Sequence, residues 1–269
     1  MSLRIQNNVE AMGAHRALLQ SNDKLAKSME RLSSGYRINR AADDAAGLAI
    51  SERMRAQING VQQATRNAQD GISLVQTAEG SLDEVHSMLQ RVRELAVQFK
   101  NGSLSTGDRA ALQSEVNQLA SEIERIGSSA EFNGIKVLNG AAVMTFQIGA
   151  NDSDSVSVAT ISLGSSIGAA VYALSSSQNA DLSEIDAAID SVSEQRSTFG
   201  AVQNRFEHLM NGLSVYHENL VSSESRIRDV DMAEEMVQMT KYQILAQAGT
   251  AMLAQANQMP QSVLSLLRG

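Results

Sequence analysis

MRAQINGVQQATRNAQDGISLVQTAEGSLDEVHSMLQRVRELAVQF, residues 54–99, carries the pattern on which the fold turns. Its apolar positions are Met54, Ile58, Val61, Thr65, Ala68, Ile72, Val75, Ala78, Leu82, Val85, Leu89, Val92, Ala96 and Phe99. The gaps between them run 4,3,4,3,4,3,3,4,3,4,3,4,3. That is a heptad seam with one extra step of three near Val75 to Ala78, a stammer that overwinds the coil locally. Asp43 or Asp44 supplies an N-cap and Lys100-Asn101-Gly102 a stop. A helix from about 44 to 100 would be roughly 85 Å long, which fits a rod and no small globule.

Outward from this stretch the pattern repeats. Past GSLSTGD, Leu112, Val116, Leu119, Ile123, Ile126 and Ala130 return at helical spacing, with Ser105, Thr106 or Asp108 as the cap. FNGIKVLNG, VMTFQIG and DSVSVATISLG are short, β-branched and punctuated by Asn-Gly and Gly, which predicts strands and hairpins. The Ser/Ala/Gly-rich piece 164–180 reads as a connector. From Leu182 helical spacing resumes through Ile185, Ile189, Val192, Phe199, Val202, Phe206, Leu209, Leu213, Tyr216, Leu220, Ile227 and Val230. Near the C-terminus it continues through Met232, Met236, Met239, Tyr242, Ala246, Leu253, Val263 and Leu267, with Pro260 expected to kink or break the helix. Near the N-terminus Leu18, Leu25 and Leu32 lie one heptad apart.

The predicted fold is therefore mainly α: an elongated rod of long antiparallel coiled-coil helices with a small β-hairpin insertion, the N- and C-terminal helices paired at one end. The expected divisions are 1–43 with 228–269 as the paired terminal helices, 44–131 with 181–227 as the rod, and 132–180 as the insertion. Between terminal helix and rod, Arg31 to Ile50 is poor in large residues. Gly35 and Asn39 there allow non-helical backbone, and the alanines with Gly47 allow another backbone to approach closely.

Composition agrees with side-by-side helices. Apolar residues make up 43% of the 269, aromatic residues only 3%, and tryptophan is absent. The net charge of −8 and the lack of a basic stripe argue against nucleic acid. No apolar run spans a bilayer, and the N-terminus lacks the apolar core of a secretory signal. With no cysteine there are no disulfides or thiolate metal sites. His15, His86, His208 and His217 occur singly, with no zinc-ligand spacing. Asn151-Asp152-Ser153-Asp154 is half a calcium loop without its glycine and terminal glutamate, and reads as a solvated turn. No nucleophile elbow, phosphate loop or dinucleotide fingerprint occurs. Neither a catalytic residue, a cofactor nor a metal is expected.

Four motifs in order, ERLSSGYRINRAADDAAGLAIS (30–51), LQRVRELAVQ (89–98), EFNGIKVLNG (131–140) and AQANQMPQSVLSLLR (254–268), resemble bacterial flagellin. The resemblance covers both ends and the rod and omits the large variable outer domains that many members carry. It implies an extracellular structural protein that polymerises with itself into the flagellar filament, exported by flagellar type III secretion without a cleaved signal. It also implies an export chaperone, for which the Met232, Met236, Met239 stripe suits a groove, contacts with hook-associated and cap proteins, and no membrane insertion. Through it Arg91, Leu95 and Glu115 match the positions read by Toll-like receptor 5 in animal hosts and used in filament contacts. Read from the residues alone, Arg91 and Glu115 are solvated charges and Leu95 is partly seam. The resemblance likens residues 30–51 to the peptide sensed by a plant receptor kinase, with Asp43, Asp44 and Gly47 at matching positions and Tyr36 and Ala42 departing from them; a cap beside a close-packed crossing accounts for the same residues. Leu18, Leu25, Leu32, Leu253, Val263 and Leu267 are the expected polymer contacts. A hook–filament junction protein and an intracellular helical scaffold are the other readings. Because isolated amphipathic helices are marginal in water, the terminal segments are expected to order on assembly.

Overall fold

A computed structural model of the chain describes residues 8–140, 143–160, 163 and 180–268, with the side chains of 180–181 and 260–268 outside that description. Among the described residues five helices and two strand pairs follow in order: α1 (Val9–Ser34), α2 (Ala45–Phe99), α3 (Thr106–Ser129), β1 (Glu131–Phe132), β2 (Ile135–Lys136), β3 (Val143–Gln147), β4 (Ser155–Ala159), α4 (Ala180–Arg228) and α5 (Met232–Arg268). The mainly helical fold with small antiparallel strand pairs is the one the periodicity predicts. The proposed connector 164–180 lies outside the described residues apart from its last position. The chain divides into two compact units, one of residues 1–56 with 219–269 and one of 57–218.

In the second unit α2 and α4 run antiparallel. Arg93 pairs with Asp186 at 2.6 Å, Asp83 with Arg196 at 3.0 Å, and Gln62 with His217 at 3.0 Å, one number rising as the other falls. Helix α3 turns back along α2. Its start is fixed by Ser105, whose hydroxyl accepts from Asp108 N while the Asp108 carboxylate accepts from Ser105 N. This reciprocal pairing satisfies two orphan donors of the first turn.

The core joins Ala68, Leu74, Val75, Ala78, Leu82, Val85, Leu89, Val92 and Leu95 of α2 to Val116 and Ile123 of α3, Ile185, Val192, Phe199 and Phe206 of α4, and Val156 and Val158 of β4. The buried face of α2 differs from the predicted seam between 64 and 75. Ala64, Gly71 and Leu74 are buried where the heptad count puts only half-buried Thr65 and Ile72. The reason is a second neighbour on that side. Asn67 Nδ2 donates to the Gln147 carbonyl of β3 (2.8 Å), and Phe146 of β3 meets Phe206 edge-on at 5.8 Å. Hairpin and α4 together cover a wider stripe than one partner helix would. On α4, Tyr216 is exposed rather than part of the seam.

Strands β3 and β4 pair from Val143↔Ala159 to Gln147↔Ser155. The turn between them closes on itself, Asp154 N donating to the Asn151 carbonyl and Asn151 Nδ2 to the Asp154 carboxylate at 3.2 Å. Its carboxylate is thus engaged within the turn. The shorter pair β1–β2 turns through Asn133 and Gly134, both at positive φ.

Candidate assembly interface

In the first unit α1 and α5 lie side by side. A heptad seam of half-buried and buried positions runs along α1 through Ala11, Ala14, Leu18, Ser21, Leu25, Ser28 and Leu32, with a small residue three places after Leu18 and after Leu25. The matching face of α5 is Glu235, Gln238, Tyr242, Ala246, Gly249, Leu253 and Ala256. Leu18 sits against Gly249, where an added Cβ would come within 3.2 Å of its Cδ1. Leu18, Leu25, Leu32 and Leu253 are all half-buried within one molecule. Val263 and Leu267 have side chains outside the described residues.

Helix α5 starts at Asp231, whose carboxylate accepts from Ala233 N (2.9 Å) and Glu234 N (3.2 Å). One turn in, Glu235 is buried between the helices. Ser28 Oγ donates to it at 2.5 Å, and Arg31 Nη1 lies 3.5 Å from its other oxygen. A buried carboxylate needs such partners. This polar rivet is invisible to a count of apolar residues; of the stripe Met232, Met236 and Met239, the first two are about half exposed and Met239 is half-buried. The only hint of it in the sequence is Ser28 standing midway between Leu25 and Leu32.

The crossing between α1 and α2 is held as a strap. Gly35 ends α1 at φ 75°, a left-handed C-cap, with its N–H on the Arg31 carbonyl. The next residues pair with the end of α4: Arg37 N donates to Arg228 O (2.7 Å) and Val230 N to Gly35 O (3.0 Å). The Tyr36 ring carries the Arg228 guanidinium at 4.8 Å and the Arg55 guanidinium at 5.7 Å, and Arg55 Nη2 donates to its hydroxyl. Arg228 and Arg55 in turn pair with Glu52 and Glu224. Ile38 plugs the strap and is buried.

Asn39 and the two aspartates finish the turn. Asn39 Nδ2 donates to the Tyr36 carbonyl (3.3 Å). Asp43 accepts from Lys27 at 2.6 Å and from the backbone N–H of Asn39 and Arg40. The Lys27 bond, with the two backbone donors, holds the Asp43 carboxyl below its ordinary 3.8 against the opposing effect of desolvation. Asp44 caps α2, accepting from Gly47 N at 2.9 Å. A Cβ at Gly47 would collide with the Asp44 carboxylate and come within 2.9 Å of Ile38 Cδ1.

Arg91, Leu95 and Glu115 lie together in the second unit but differ in kind. Arg91 bonds Glu115 through Nε (3.1 Å) and Nη2 (2.8 Å) and Glu94 through Nη1 (3.0 Å), all on the surface. These carboxylates, Glu115 first, raise its already high pKa further. Leu95 is 1% exposed and belongs to the core. It supports the patch from beneath and offers a partner no surface.

Among the described residues no group of His, Asp and Glu side chains is arranged to hold a metal, and no helix is long and apolar enough to cross a membrane.

Residues 5–142 match the bacterial flagellin N-terminal helical region, and residues 182–267 match the bacterial flagellin C-terminal helical region. The chain is 52% identical to a flagellin of Halalkalibacterium halodurans, with 98% of this chain and 99% of that one covered. It is 47% identical to a flagellin of Bacillus subtilis, covering 99% and 100%. It is 49% identical to the flagellar filament 33 kDa core protein of Treponema phagedenis, covering 98% and 99%. Among solved structures it resembles Bacillus cereus flagellin, with a TM-score of 0.51 at 28% identity over 55% of this chain and 88% of that one. A putative flagellar hook-associated protein of Vibrio parahaemolyticus shares the fold, with a TM-score of 0.59 at 14% identity over 70% and 100%.

Proposed function

The chain belongs to the bacterial flagellin family, and on that premise we infer how its parts serve a filament. It is a structural subunit that assembles with copies of itself into the flagellar filament, and it is not an enzyme. The Halalkalibacterium halodurans and Bacillus subtilis flagellins align with it over nearly their whole lengths, which supports a minimal member lacking large outer domains.

One observation carries the assignment of assembly to the first unit. Helix α5 is apolar on two faces. One faces α1; the other consists of two rows at heptad spacing, Val237 with Ile244 and Leu245 with Met252 and Met259, and is exposed, Val237 to 67% and Met252 to 64%. Helix α1 adds Val9 and Met12, exposed to 64% and 63%. A helix apolar on more than one side belongs in a core. A second copy of the chain supplies that core, and head-to-tail contacts between identical subunits build an open helical array when rotation does not close the ring. Leu18, Leu25, Leu32 and Leu253 then set the spacing of the helix pair, while the outward stripe makes the contacts between subunits. Purified chain seeded at high salt forms long, sedimentable fibres on this reading; particles of fixed size under every nucleating condition would refute it.

The finer roles rest on the same premise. The exposed Met232 and Met236 suit the groove of an export chaperone that covers α5 before assembly, and the ends of the growing array meet hook-associated and cap proteins. Export by the flagellar type III route is the path this filament reading implies. The Arg91–Glu115–Glu94 patch is the surface a Toll-like receptor 5 reads on monomers, with Leu95 holding it from below. The junction-protein alternative has fold likeness in its favour, whereas relatives at about half identity over the full length are named flagellin or flagellar filament core protein.

A further inference from the structure

The Asn8 side chain makes two hydrogen bonds in opposite directions. Its Oδ1 accepts from Ala11 N at 3.0 Å and caps α1. Its Nδ2 donates to the Ala256 carbonyl of α5 at 2.8 Å, 248 residues away in the chain. In an uninterrupted helix that carbonyl accepts from the N–H of residue 260. Residue 260 is Pro260, which has no N–H, yet α5 continues past it to Arg268. The proline thus frees one acceptor on a buried residue, Ala256 being 9% exposed, and the Asn8 amide occupies it.

We propose that Asn8 is a positioning residue for assembly: its amide replaces the hydrogen bond that Pro260 removes and thereby fixes the register of α1 along α5. The chemistry is selective. Serine and aspartate cap a helix as well as asparagine does, but only asparagine joins a cap acceptor to a donor in one rigid group of this length. An unmet buried carbonyl is costly, so the pairing is favoured at one register and lost at every other. The seam alone discriminates weakly, because leucine and small residues recur every seven positions. Asn8 and Pro260 are the non-repeating mark that breaks this degeneracy. The proline therefore acts as an address within the helix, where the sequence alone suggests a kink.

The inference rests on the filament reading, and a double-mutant cycle in the full-length chain separates the two. Seeded polymerisation is run with parent, Asn8→Ser, Pro260→Ala and the double variant, and the monomer concentration left at equilibrium is measured. Asn8→Ser keeps the cap and removes the long donor; the expected rise in residual monomer is on the order of fivefold. Pro260→Ala restores an N–H within the helix, so in that background Asn8→Ser is expected to change residual monomer by less than about twofold. If Asn8→Ser prevents polymerisation entirely, its recovery in the double variant supports the proposal and its persistence overturns it. Equal residual monomer for parent and Asn8→Ser, or an Asn8→Ser penalty undiminished by Pro260→Ala, also overturns it. Failure of the parent to polymerise would sink both readings.

Discussion

Gly71 shows how little room one residue has in the core of the second unit. A Cβ there would come within 2.7 Å of Phe206 Cζ, and Phe206 is fully buried with its ring edge-on to Phe146. Gly71→Ala gains helix propensity of about 1 kcal/mol, but overpacking costs about 1–3 kcal/mol, and the buried ring has nowhere to turn. The expected net effect is destabilisation, read as a lower urea midpoint. Gly200→Ala, in α4 with nothing within 4 Å of the added methyl, is the control and should be neutral or slightly stabilising. A Gly71→Ala chain as stable as the Gly200→Ala chain would contradict this packing. Arg91 is the opposite kind of residue, exposed and held only by Glu115 and Glu94. Arg91→Ala should leave the unfolding free energy within about 0.5 kcal/mol of parent while reducing Toll-like receptor 5 signalling by monomers; undiminished signalling would remove the patch from the recognition reading. Sequence shows Arg91 and Glu115 as a candidate pair only through the flagellin resemblance. It does not show that Leu95 is buried, because an apolar residue between charged ones on a helix fits seam and surface equally well.

Elements are legible where their cause is local. The caps at Asp44 and Ser105, the stop after Phe99 and the strand pairs all follow from turn and cap chemistry within a few residues. What sequence leaves hidden depends on residues far apart in the chain: the hairpin that widens the buried face of α2 at Gly71 and Leu74, Glu235 buried against Ser28, and the Tyr36 ring between Arg55 and Arg228. The strap from Gly35 to Asp44 combines both kinds, and its local part is open to titration. The folded Asp43 carboxyl has its pKa below the ordinary 3.8, so its contribution is fully present above that value and is lost as pH falls through the folded one. Asp43→Asn should therefore weaken the first unit at neutral pH, with the gap from parent closing as acid protonates Asp43. Melting curves from pH 7 down to about pH 2 test this; a gap of constant size at all pH values would show that charge pairing with Lys27 plays no part.

At the scale of the whole molecule the two units differ in how much of their apolar surface they cover. The second unit buries its large side chains from Leu74 to Phe206 in one cluster. The first joins two helices along a seam half made of small residues and leaves Val237, Ile244, Met252, Val9 and Met12 in water. Burying such a side chain is worth about 1.5–3 kcal/mol, so the uncovered stripe holds more free energy than the narrow seam that orders the pair. The lone molecule should therefore keep a stable second unit and a loosely ordered helix pair that tightens as neighbours cover the stripe. Amide exchange separates the states: α1 and the length of α5 should exchange orders of magnitude faster in monomer than in filament, while α2 from Ala68 to Ala96 stays protected in both. Replacing Val237 and Ile244 together by aspartate puts two charges on the outward stripe and leaves the α1 seam and the second unit untouched. That variant should raise the residual monomer concentration on the order of a hundredfold or more with no change in exchange from α2. If instead it polymerises like the parent, or if the parent monomer already protects both terminal helices as fully as the filament does, then covering this stripe is not what drives assembly.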